Sequence, residues 1–344
     1  MPHPPCLFTL IAFVAALILG VTALPRSGAA QQPQATISGT VTLATPGDTL
    51  NADIKVQLII LEESQDITSS SHPADTSGAF TFEVNPDPRF TYIPFLIYEA
   101  VRYLSDPIRF DDPPSSATVA FEVYSTTTEA PTLTIAETSV FVVALERSTS
   151  TITLVREDLI DRDELTVYVG GDDGVTLRIP VPDGTIDAGA LEVDDPYFSF
   201  QGGTVNVSLP LRPGLNSVVT RYTVGYDAVE DMYRLRITSP LHTDHIEARV
   251  PQGFVSKFEP RGDDVRRAAD TEFEGEPIFV VERIGSATPG NGLVVDLVGL
   301  SASTPPHIFT TTRGAVIGSL LALIVIPVLA VTLARRQSGT EPSA

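Results

Sequence analysis

Short runs in which apolar and polar residues alternate recur along most of this chain. They cover Thr36–Leu43, Ile54–Leu61, Ala79–Val84, Thr118–Tyr124, Thr132–Ile135, Val140–Leu145, Thr151–Leu154, Leu165–Val169, Val175–Ile179, Thr204–Leu209, Ser217–Tyr226, Tyr233–Ile237, Ile278–Glu282 and Leu293–Val298. Val, Ile, Thr, Phe and Tyr dominate them, and Gly, Pro, Asp and Asn separate them. A period of two in such residues predicts half-buried strands. The 28 prolines suit turns and strand ends. Strands this short and evenly spaced predict an all-β body built of sandwiches. No long helical period interrupts them.

Two uninterrupted apolar runs break the pattern, one at each end. Gly314–Ala334 has no charged side chain. At about 1.5 Å per residue it makes a helix about 31 Å long, which matches a bilayer's hydrocarbon core and predicts a transmembrane helix at 314–334. Arg335 and Arg336 follow it in a short tail, so residues 335–344 are expected in the cytoplasm. The run Phe8–Leu24 precedes the small-residue stretch Ser27-Gly28-Ala29-Ala30, which predicts a signal peptide over 1–30 with cleavage before Gln31. Its n-region carries no Lys or Arg, so an uncleaved anchor is the alternative. On either reading the body is expected outside the cytoplasm, and with the signal removed the protein is expected to be a single-pass component of the cell membrane.

Length and charge narrow the picture further. The 344 residues suffice for two ordinary domains. A net charge of -21 repels nucleic acid, so no nucleic-acid role is expected. The single cysteine, Cys6, lies ahead of the first apolar run. Removal of the signal leaves no thiol, so packing alone must stabilise the body. A domain boundary is expected near Pro113-Pro114-Ser115-Ser116, which gives domains at about 35–113 and 117–300. Residues 256–276 are strongly charged and predict a loop.

Three features of the first domain converge. Ile37-Ser38-Gly39-Thr40-Val41 opens it, Ile54-Lys55-Val56-Gln57-Leu58 follows, and Asp75-Thr76-Ser77-Gly78-Ala79-Phe80-Thr81-Phe82 completes the set. Asp75 can bond the amides of a turn, and Gly78 can take a positive φ before Phe80 and Phe82 point inward. Together these segments resemble the carboxypeptidase regulatory-like (transthyretin-like) domain of bacterial membrane-anchored surface proteins. The resemblance covers about a quarter of the chain. It implies a transthyretin-like sandwich of about seven strands without catalytic residues of its own, followed here by an Ig-like sandwich and the membrane helix.

Candidate chemistry is sparse. His242-Thr243-Asp244-His245-Ile246-Glu247 offers ligands for zinc or copper. On a strand, however, His242 and Asp244 face one way and His245 and Glu247 the other. Asp172 and Asp173, within Gly170-Gly171-Asp172-Asp173-Gly174, and the pair Asp194-Asp195 offer oxygens for calcium. The spacing fails the EF-hand pattern, and a hairpin turn is the first expectation. Asp158, Asp161 and Asp163 suggest a solvated loop. Arg261-Gly262-Asp263 spells an adhesion tripeptide, and Asn206-Val207-Ser208 a glycosylation sequon inside a predicted strand. No nucleophile sits in a recognisable motif, and no cofactor is expected. The expected function is therefore non-enzymatic: an interaction or scaffold protein with an envelope protein partner. A surface module binding a glycan or a divalent metal is the alternative, and a hydrolase comes third.

Overall fold

The computed structural model describes residues 35–62, 65–110, 116–192, 195–273 and 275–301. The expected signal peptide (1–30), membrane helix (314–334) and cytoplasmic tail (335–344) lie outside the described residues. Among the described residues no helix is long and apolar enough to cross a membrane. The fold is all-β, as the alternation predicts. It divides into two compact units: residues up to Leu43 with Thr49–Val123, and Ala44–Asp48 with the residues from Tyr124 onward.

The first unit contains β1 (Ala35–Leu43), β2 (Lys55–Glu62), β3 (Gln65–Pro73), β4 (Ala79–Val84), β5 (Phe90–Tyr98), β6 (Val101–Leu104) and β7 (Ser116–Val123). They form a three-stranded sheet, β4-β1-β7, and a four-stranded sheet, β3-β2-β5-β6. Ile37, Val41, Phe80, Phe82 and Phe121 of one sheet are buried, as are Val56, Leu58, Leu96 and Tyr103 of the other. His72 of β3 meets Phe82 of β4 edge-on at 4.9 Å, so these faces are turned toward each other.

Both glycines of the opening motifs have a steric reason. A Cβ on Gly39 would lie 2.2 Å from the Val119 carbonyl oxygen and 2.4 Å from the Phe80 ring. Gly78 has φ +82, and a Cβ there would lie 2.2 Å from the Val41 carbonyl oxygen. The Val41 amide in turn donates to the Gly78 carbonyl (2.9 Å). The Asp75 carboxylate accepts the amides of Ser77 (2.8 Å) and Ala79 (2.9 Å) and the Ser77 hydroxyl (2.6 Å). The Ser77 hydroxyl, then the Ala79 and Ser77 amides, hold this carboxyl below its ordinary range.

The second unit opens with β8 (Thr126–Thr127), β9 (Thr134–Glu146), β10 (Thr151–Arg162), β11 (Val167–Tyr168), β12 (Leu177–Pro180), β13 (Thr185–Gly189), β14 (Phe198–Gln201) and β15 (Thr204–Val207). It continues with β16 (Gly214–Gly225), β17 (Met232–Thr238), β18 (His242–Pro251), β19 (Lys257–Arg261), β20 (Val265–Arg267), β21 (Thr271–Phe273), β22 (Glu276–Arg283) and β23 (Gly292–Val298). One large sheet runs β13-β16-β10-β9-β18-β22-β20, with β21 also on β22. Two three-stranded sheets, β12-β15-β14 and β17-β23-β19, accompany it. A single apolar cluster draws Leu154, Tyr222 and Ile246 from the large sheet, Ile179 and Val205 from the second, and Leu235 and Val295 from the third. The strand order is more elaborate than a simple Ig-like arrangement, because β9 and β18 lie side by side in parallel within the large sheet.

Two expected boundaries move. The strand β7 lies beyond Pro113-Pro114, yet it pairs in parallel with β1 from Thr36↔Ser116 to Leu43↔Val123. The first unit therefore ends at Val123. The expected loop at 256–276 contains β19, β20 and β21. Charged residues dominate these strands, but single apolar anchors, Phe258 and Val265, are buried in them. So few anchors fall below what a periodicity argument detects.

Candidate functional site

The predicted metal ligands do not converge. His242 Nε2 lies 3.3 Å from Asp244 Oδ1, and both side chains are exposed. His245 Nε2 lies 3.7 Å from Glu247 Oε2. The Gly170–Gly174 segment is a turn closed by the Gly174 amide on the Gly171 carbonyl (2.9 Å). It is not the expected hairpin: β11 before it pairs with β8, and β12 after it pairs with β15. Asp173 accepts the Val175 amide (3.1 Å) and pairs with Arg178, and Asp172 is exposed. Asp195 caps its own turn through the Tyr197 amide (2.9 Å); Asp194 lies outside the described residues. Among the described residues no group of three His, Cys, Asp or Glu side chains could hold a metal ion.

Other singled-out motifs serve the fold. Arg261 of the adhesion-like tripeptide donates to Asp296 (2.6 Å) and Glu259 (3.2 Å), so its guanidinium is committed. Asn206 sits on β15, the middle strand of its sheet. The carboxylate of Asp296 on β23 is buried and takes Arg234 at 2.8 Å as well as Arg261. The Arg234 hydrogen bond, then that of Arg261, outweighs the cost of burial and holds Asp296 below the usual carboxylate range.

The expected solvated loop around Asp158 is instead a strand through the core. Successive residues of β10 alternate faces, so Ile152, Leu154, Arg156, Asp158 and Ile160 share one. That face meets the apolar cluster. Arg156 and Asp158 are 2% and 0% exposed, respectively. Their side chains form a two-pronged pair, Nε to Oδ2 at 2.8 Å and Nη2 to Oδ1 at 2.9 Å. Thr138 donates to Asp158 (2.6 Å), and Arg156 donates to the Thr238 carbonyl (3.0 Å). Burial opposes the Arg156 charge, but Asp158 more than offsets it, so the guanidinium is held more strongly protonated than usual. Nearby, burial pushes the Tyr222 hydroxyl up to about 12.

The opposite face of the same sheet carries a polar band. Glu157 of β10 stands across from Ser139 of β9, Ser139 from Glu247 of β18, and Glu247 from Glu282 of β22. The Ser139 hydroxyl lies 2.8 Å from Glu137 Oε1 and 3.0 Å from Glu247 Oε1. Glu247 also pairs with Arg249, whose guanidinium lies over the Phe141 ring at 4.8 Å. Ser217 donates to Glu157 (2.6 Å). Burial, more than any neighbour, raises the Glu157 carboxyl above its ordinary range, and the charges of Glu137 and Asp158 add to this. Ser139, Glu157 and Glu247 are all buried. Sequence reasoning missed this band because its members come from separate strands. Its one local signal was Glu247 beside His245.

No family model matches the chain, and no curated protein matches it. Among solved structures it is similar to a DUF3823 family protein from Parabacteroides merdae, at 15% identity and TM-score 0.19 over 54% of this chain and 80% of that one. It is also similar to the major pilin SpaD of Corynebacterium diphtheriae, at 9% identity and TM-score 0.19 over 77% and 82%. The major pilin SpaA of the same organism is similar at 10% identity and TM-score 0.18 over 79% and 89%. At TM-scores this low, none of these likenesses bears on what this chain does.

Proposed function

We propose that this is a non-enzymatic interaction or scaffold protein, anchored in the cell membrane by residues 314–334, with its β body outside the cytoplasm and an envelope protein as partner. On this reading the first unit is a carboxypeptidase regulatory-like, transthyretin-like sandwich used for binding or spacing. One observation carries the proposal: the groups that chemistry would need are engaged in holding strands together. Asp75 closes a turn, Asp158 neutralises Arg156, Asp296 is gripped by Arg234 and Arg261, and Glu247 is shared among Ser139, His245 and Arg249. Side chains locked in this way suit a rigid surface better than a reaction that must move protons or a nucleophile. The charge of -21 and the uncharged terminal run support the same assignment.

The test is cross-linking of the full-length protein in its native membrane, followed by purification and mass spectrometry. A single stoichiometric protein partner is the expected result. Recovery of the protein alone, or with wall glycan only, overturns the accessory role and favours direct ligand binding.

A further inference from the structure

We propose that the outer face of the four-stranded sheet β3-β2-β5-β6 binds a second copy of this chain, stacked so that Lys55 of each copy meets Glu62 of the other. The two outer faces of the first unit differ in kind. On the β4-β1-β7 sheet the outward positions are polar: Thr40 and Thr42 on β1, Thr81 and Glu83 on β4, Thr118 and Glu122 on β7. That face suits water. On the β3-β2-β5-β6 sheet Val56, Leu58 and Leu96 are buried in the core, so the residues that alternate with them point outward. There Ile59 stands across from Ile93, Gln57 from Phe95, Phe95 from Leu104, and Ile97 from Arg102. Ile97 is 53% exposed and Leu104 52%. The Arg102 guanidinium lies over the Phe95 ring at 4.7 Å. An apolar patch of this kind, rimmed by polar groups, marks an interaction surface.

Charge and size name the occupant. Lys55, Arg89, Arg102 and Arg109 are the four cations of residues 35–123, and all lie on or beside β2, β5 and β6. Acids stand among them, Asp53, Glu62 and Asp87. A rim with both signs can match a copy of itself, whereas Glu83 and Glu122 on the other face have only their own sign to offer. Lys55 makes no hydrogen bond or ion pair among the described residues. Glu62, at the far end of β2, pairs with Arg89 at 3.4 Å, and Arg89 is held more closely by Asp87 at 2.7 Å. A two-fold axis crossing the strands at the middle of β2 carries Lys55 of one copy to Glu62 of the other, so the pair forms twice. Stacked sheets keep their strands within about 30° of alignment, and the match survives that twist. A cleft of about 540 Å³ beside Lys55, Gln57, Pro73 and Ile97 leaves room for side chains of the second copy. Four strands and the length of β2 cover about 450 Å² per copy. The resulting contact of about 900 Å² is weak and reversible, and anchoring both copies in one membrane would strengthen it. The inference does not depend on which envelope protein is the partner.

The test is sedimentation of the full-length protein in detergent micelles over a range of concentrations. Expected is a reversible dimer with a Kd of about 10–100 μM. Lys55→Glu and Glu62→Lys should each weaken it about tenfold, because each sets like charges together twice. The double variant Lys55→Glu/Glu62→Lys should return to wild-type affinity. Ile97→Glu with Leu104→Glu should leave a monomer. Thr40→Glu with Thr118→Glu, which adds the same charge to the other outer face, should leave the dimer intact. All four of these positions are exposed, so the fold should survive each change. A wild type that stays monomeric at about 100 μM overturns the proposal. So does a dimer that persists in Ile97→Glu/Leu104→Glu, since association would then lie in another segment. A double charge variant that binds no better than either single one also overturns it, because Lys55 and Glu62 would then not meet.

Discussion

Asp75 in the first unit and Asp158 in the second are both engaged carboxylates, yet they stabilise the fold in opposite ways. Asp75 is exposed and binds groups within four residues of itself, two amides and one hydroxyl. Water remains available to it in every state. Asp158 has no exposed surface, and its partners come from its own strand and from β9, twenty residues away. Without Arg156 it would be a bare charge in an apolar core. Local carboxylates of the first kind tune a turn. Buried ones of the second kind are obligatory in pairs, because removing one partner strands the other.

The comparison would break most visibly at Asp158. Replacing Asp158 by Ala leaves Arg156 buried and uncompensated, and the expected loss is about 3–5 kcal/mol by urea unfolding. A loss below about 1 kcal/mol would mean that water reaches Arg156. Next comes Gly78→Ala, which places a Cβ against the Val41 carbonyl at a positive φ. The expected cost is about 1–3 kcal/mol, measured the same way.

A smaller change sharpens the local side. Asp75→Ala should lower the Tm by more at pH 7 than at pH 3. The folded-state pKa of Asp75 is depressed, so its contribution is present above the ordinary value of 3.8 and is lost as pH falls through the folded value. An equal loss at both pH values would contradict the charge-assisted turn. The smallest effect belongs to Arg178→Ala. Arg178 and Asp173 form an exposed pair, with side chains 57% and 55% accessible, so the expected change stays within about 0.5 kcal/mol.

The same contrast explains what could be read from the sequence. The Asp75–Gly78 turn was legible because its donors, acceptor and positive-φ glycine are contiguous. The all-β class was legible because alternation is local, as in Ala79–Val84, whose burial pattern follows the period. The core face of β10 was not. Arg156-Glu157-Asp158 looks like a solvated run until the strands on either side are known, because only pairing with β9 and β16 puts Arg156 and Asp158 together inside. The polar band was hidden for the same reason: Glu137, Glu157 and Glu247 are separated by many residues and meet only through the sheet register. Nor could composition place β7 in the first unit, since the bond between β1 and β7 joins residues about 80 apart.

The most direct measurement is a double-mutant cycle at the buried pair: Arg156→Met, Asp158→Leu and both together, each unfolded in urea. The account predicts that each single change is strongly destabilising and that the double variant recovers most of the loss, because no buried charge is left alone. A double variant as unstable as the sum of the two singles would contradict the matched-pair account, showing that Arg156 and Asp158 contribute independently.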